Sequence, residues 1–193
     1  MSSFEFLSVL ISVVVGLAIA NMLNGIGRLI YRFKELKMSV GFVAWTVFLF
    51  LYLVIYWWTV VFGWQEWQNW NLLIFLFVLI YGVLLFLLSV ILFPSELPEA
   101  WDPGEHLISM RRWFFGVFAV LIVVETMDSW LKDHLEHFSL PYFTMLMIWF
   151  VAAVIGWSSR NRAVHALLAV LALVAQVAWA AYQLAYLEWS LAS

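Results

Sequence analysis

The chain contains no cysteine, which excludes disulfides, thiolate metal sites and a cysteine nucleophile. Charge is nearly as scarce: Asp, Glu, Lys and Arg make up 11% of the 193 residues, against about 25% in a soluble domain. A net charge of −3 leaves no basic footprint, so nucleic acid is not an expected partner. Catalytic signatures are also missing: no Gly-rich phosphate loop, no His-Glu-x-x-His, no Gly-x-Ser-x-Gly. Asp128 is the one aspartate inside a long apolar run, which argues against an intramembrane aspartyl protease. The expectation is a protein that is not an enzyme and holds no cofactor and no metal.

What the chain does have is apolar length. Hydrophobic residues reach 66% and mean hydropathy is +1.00. A soluble fold of this size cannot hide so much apolar surface, because its core holds only a fraction of the chain. Crossing ~30 Å of hydrocarbon takes about 20 apolar residues in a helix, and continuous rather than alternating runs favour helices over a barrel. Six such spans are predicted at 6–30, 40–63, 71–93, 112–132, 141–157 and 163–187. The expected fold is an all-α integral membrane protein, a single polytopic bundle of six transmembrane helices covering 1–193. The first run does not fit a signal peptide. Ala18-Ile19-Ala20 resembles a cleavage site, but positive charge follows the run instead of preceding it.

Short connections join the spans. The longest, from Phe93 to Met110, is rich in proline and acid, and reads as a solvated linker more readily than as a docking surface. Within it Asp102-Pro103-Gly104-Glu105 is a helix-start signal, with Asp as N-cap and Pro at the first helical position. The fourth helix is therefore expected to begin there and run into the bilayer through Arg111 and Arg112.

Eight of the nine Lys and Arg residues fall on one side of this topology: Arg28, Arg32, Lys34, Lys37, Arg111, Arg112, Arg160 and Arg162. Lys132 stands alone on the other. Positive loops stay cytoplasmic, so both termini are expected outside the cytoplasm, in a plasma or bacterial inner membrane. Trp64, Trp67, Trp70, Trp130 and Trp189 fall at the outer boundary, and Trp113 and Trp157 at the inner one, as interfacial anchors do.

Ionisable groups inside a bilayer cost about 2.5–3.5 kcal/mol each on insertion scales, so each is a functional hypothesis. Glu125 lies 13 residues past Arg112, or roughly 20 Å of helix. Asp128 shares its face at i+3, and Lys132 is placed at i+4 to pair with Asp128. On the first span Ser8, Ser12, Gly16, Ala20, Asn24 and Arg28 recur every four residues, a small-residue stripe suited to close helix packing. Asn21 and Gly25 widen it. On the sixth, His165, Ala169, Ala172, Gln176, Ala180 and Gln183 form a seam, with Gln176 deep enough to need a partner. The third span is almost wholly Leu, Phe, Ile and Val and is expected to face lipid. The first, fourth and sixth should form the core, the second adding Tyr52, Tyr56 and Thr59.

Two weaker patterns complete the reading. A shift of 104 residues sets Asn21, Asn24 and Arg28 on Glu125, Asp128 and Lys132, which would fit two inverted three-helix halves or chance. Asp133, His134, Glu136 and His137 would suit a metal, but read more simply as a solvated turn. Two functions remain open. One is a channel or transporter for protons or a small cation, with Glu125, Asp128, Asn21, Asn24 and Gln176 along its path. The other is a non-transporting scaffold or subunit, packed through Ser8, Ser12, Gly16 and Ala20. The expected partners are the lipid bilayer and a second copy or another membrane protein.

Overall fold

The computed structural model describes residues 3–32, 34, 36–65, 67, 69–96, 101–132 and 139–192, without the side chains of 3 and 186–192. Seven helices follow one another: α1 (Ser3–Tyr31), α2 (Val40–Gly63), α3 (Leu72–Leu92), α4 (Pro103–Ser109), α5 (Arg111–Leu131), α6 (Leu140–Ser158) and α7 (Arg162–Ala192). No strand occurs among the described residues. All but α4 are long and apolar enough to cross a membrane.

The Asp102 side chain caps α4 as its sequence implies, accepting from the N–H groups of Gly104 at 2.8 Å and Glu105 at 3.1 Å. The helix does not run on into the span, however. It ends at Met110, whose N–H returns to the carbonyls of His106 and Ile108, and α5 starts afresh at Arg111. The Arg111 guanidinium donates to the Ile108 carbonyl at 2.9 Å, satisfying an acceptor at the end of α4. The break lets Pro103, Gly104 and Leu107 turn inward, so α4 packs against α2, α5 and α7. We call this side of the bundle the α4 end and the opposite side the far end.

The expected core of first, fourth and sixth spans is not the one that forms. The centre is α2, which buries more of its length than any other span. It packs along α7, α1 and α3, while α3 packs on α5, α5 on α6 and α6 on α7. The reason is bulk. Trp45, Phe48, Tyr52 and Tyr56 on α2 are large rings that need partners on every side, and they are fully enclosed. Trp45 meets Phe114, Phe115 and Phe118 of α5 edge-on at centroid distances of 5.1–5.6 Å. Phe48 meets Trp149 of α6 at 5.3 Å. Close van der Waals contact of this kind holds helices together even where no hydrophobic force acts between them.

The third span is not simply lipid-facing. Val78, Tyr81, Gly82, Leu85, Leu88, Ser89 and Leu92 of α3 are buried at helical spacing, while Leu72, Leu73, Ile80 and Leu87 stay exposed. Nor does the small-residue stripe of α1 pack inside the bundle. Leu7, Ile11, Val15, Ala18, Met22 and Leu29 are the buried face. Gly16, Ala20 and Asn24 look outward, and a Cβ added to Gly16 would touch nothing among the described residues, while Ser12 on the exposed side accepts from the Trp57 indole N–H of α2 at 3.0 Å. The α7 seam does form: His165, Ala169, Ala172 and Gln176 are buried, and Gly41 of α2 closes on the backbone of Ala166.

Candidate functional site

The polar groups of α2, α3 and α5 converge in the far half of the bundle. The buried face of α5 runs Arg111, Phe114, Phe115, Phe118, Leu121 and Ile122, and on the same spacing it next presents Glu125 and then Asp128. Glu125 is half-buried. Its Oε2 accepts from the Tyr52 hydroxyl of α2 at 3.3 Å and from the Tyr81 hydroxyl of α3. The two phenolic oxygens also lie 2.9 Å apart. Tyr56, one turn along α2, donates to the Val78 carbonyl at 2.7 Å, and its ring lies against Tyr81 with centroids 4.4 Å apart. The carboxyl group thus joins three helices through neutral donors.

One turn outward the chemistry changes to charge. The Asp128 carboxylate accepts from Trp64 Nε1 at 3.0 Å and from the Lys132 ammonium at 2.5 Å. Both side chains of this ion pair are less than 10% exposed. The ammonium lies 5.4 Å from the centroid of the Trp64 ring and 3.5 Å from the Thr59 carbonyl. Trp64 is fully buried at the end of α2, edge-on to Trp67 and tilted against Trp70, so it is a packed cover rather than an interfacial anchor. Trp113, Trp130 and Trp157 do stand exposed, as anchors would.

The remaining candidates lie on other seams. The Asn21 amide donates to the Ser89 carbonyl at 2.9 Å, tying α1 to α3. Asn24 is on the exposed face of α1. Gln176 is buried on α7, its amide 3.2 Å from the Phe48 carbonyl and 3.2 Å from the Tyr52 N–H of α2. The structure therefore brings Glu125 and Asp128 to one cluster and leaves Asn21, Asn24 and Gln176 outside it. Asp133, His134, Glu136 and His137 lie outside the described residues, as does the Trp189 side chain. No group of three potential metal ligands occurs among the described residues.

Sequence reasoning overlooked Tyr81, Tyr142 and Trp64 as members of this cluster. Tyr142 of α6 donates to Ser129 at 2.8 Å, extending the hydrogen bonds to a fourth helix. A signal for Tyr81 was available, since Tyr81-Gly82 and Ser89 are the only departures from Leu, Ile, Val and Phe in α3 and share one face. Comparison of the chain with protein families, curated proteins and solved structures finds no match in any of the three.

Proposed function

We propose that this chain is a non-conducting membrane subunit or scaffold whose far half is locked by Glu125. The observation that carries this reading is the separation of the polar groups. Glu125 sits among α2, α3 and α5, Asn21 on the α1–α3 seam and Gln176 on the α2–α7 seam. Between Glu125 and the α4 end the centre is filled by Trp45, Phe48, Phe114, Phe115, Phe118 and Trp149. A proton or cation path needs polar groups or water at hydrogen-bond spacing, and aromatic packing offers neither. The uncovered part of α1, at Gly16 and Ala20, supports a surface where a second helix can approach closely. The concentration of Lys and Arg at the α4 end supports placing that end in the cytoplasm and both termini outside, in a plasma or bacterial inner membrane. The pairing of helices weighs against two inverted halves, since α1 packs along α3 but α5 forms no comparable seam with α7.

One observation favours the alternative, a proton or small-cation carrier: Glu125 is partly exposed, and among the described residues its hydrogen bonds come from the Tyr52 and Tyr81 hydroxyls rather than from a charged group. Reconstitution in vesicles loaded with a pH-sensitive dye separates the two. The scaffold reading expects proton leak under proton, sodium or potassium gradients no faster than in protein-free vesicles. Flux that vanishes in Glu125→Gln, with the variant still folded, would replace it with the carrier.

A further inference from the structure

The surroundings of the Lys132 ammonium are more complete than an ion pair requires. The group has the Asp128 carboxylate at 2.5 Å, the Thr59 carbonyl at 3.5 Å and the face of the Trp64 indole at 5.4 Å. Gly63 closes a fourth side, where a Cβ would come within 3.2 Å of the lysine Cε and Nζ. The last turn of α2 also points the negative end of its dipole here, since Thr59 and Gly63 lie within five residues of the helix end. Carboxylate, carbonyl, aromatic face and dipole all favour a cation, and each gains weight where water is excluded. Asp128 and Lys132 side chains are 9% and 6% exposed.

Lys132 enters this cage from just beyond α5, on a flexible four-carbon stem, at the residue where the helix stops. We infer that the pocket formed by Asp128, Trp64, Thr59 and Gly63 is a binding site for a primary alkylammonium, which the chain closes with its own Lys132. The site takes an amine when the lysine is withdrawn and refuses it while the lysine is in place. This does not rest on the scaffold reading, nor on any proton exchange at Glu125.

The test is replacement of the tethered cation by a free one. Lys132→Ala keeps Cβ and deletes Cγ to Nζ, a fragment equivalent to propylammonium. In detergent, the melting midpoint of Lys132→Ala should rise saturably with propylammonium chloride, because a ligand that binds only the folded state stabilises it. Half-saturation should come at a concentration at least roughly tenfold below that for any effect on wild type, and 1-propanol should do nothing. The double variant Lys132→Ala/Asp128→Asn should lose the response. If Lys132→Ala is unfolded alone but folds when purified with propylammonium, the site is equally supported. The inference is overturned if the folded variant responds no more to propylammonium than to propanol, or if it stays unfolded with both. A response that survives in the double variant overturns it too.

Discussion

The two halves of the bundle are held by different forces. Near the α4 end, α2 is gripped by rings: Trp45 against Phe114, Phe115 and Phe118, and Phe48 against Trp149. Among the described residues the indole N–H of Trp45 has no hydrogen-bond partner. In the far half the same helix is gripped by hydroxyls and charges, through Tyr52, Tyr81, Glu125, Trp64, Asp128 and Lys132. Packing tolerates a change of shape in proportion to the volume lost, whereas a buried polar group fails abruptly once its partner is gone. The two halves should therefore respond differently to substitutions of similar size.

The largest effect is expected where a charge is stranded. Lys132→Met keeps most of the stem but leaves the Asp128 carboxylate buried without its cation, which costs about 3–5 kcal/mol. Replacing both partners, Lys132→Met with Asp128→Asn, should recover most of that loss, since a neutral pair strands no charge. Equilibrium unfolding in mixed micelles, followed by near-UV circular dichroism, measures both. A double variant as unstable as the single one would show that shape, not charge, governs the far half.

Phe118→Ala tests the other half. Phe118 touches Trp45, Phe48, Phe114 and Trp149, so its loss opens a cavity and should cost about 3 kcal/mol. Tyr81→Phe removes a single hydroxyl from Glu125 and should cost about 1 kcal/mol. In Glu125→Leu the same tyrosine change should cost measurably less, because the carboxylate it serves is gone. Equal costs in both backgrounds would mean that the Tyr81 hydroxyl owes its place to Tyr52 rather than to Glu125.

The six long apolar helices were legible because length and hydropathy are local properties. The span 40–63 matches α2 residue for residue, and the other boundaries shift by a few positions. Asp128 and Lys132 were legible for the same reason, being four apart on one helix. The arrangement of helices was not. Small-residue spacing on α1 says that a close approach is possible, not that a helix of this chain makes it, and Gly16 meets none. The large rings of α2 held the better clue, since enclosing Trp45 and Phe48 demands several neighbours. Tyr81 escaped notice because one hydroxyl hardly alters the hydropathy of α3, although it decides which face turns inward.

An effect as small as that of Tyr81→Phe is expected at the α4 end, where an exposed polar contact adds to the ring-packed half. Partial burial alone would push the Asp102 carboxyl up. The Glu105 N–H, the Arg162 guanidinium and the Gly104 N–H outweigh it and hold the group below its ordinary value of 3.8. The ion pair with Arg162, at 3.1 Å, is half in solvent and adds little by itself. The cap is worth more: Asp102→Ala removes two hydrogen bonds to the start of α4 and should cost about 1 kcal/mol at neutral pH. Because the carboxyl is more acidic folded than unfolded, its contribution is complete above pH 3.8 and fades as pH falls through the lower, folded value. The gap in melting midpoint between wild type and Asp102→Ala should thus hold constant from pH 7 to 5 and narrow below 3.8. A gap independent of pH would mean that α4 is fixed by Pro103, Gly104 and Leu107 against α2 and that its cap adds no charge-dependent stability.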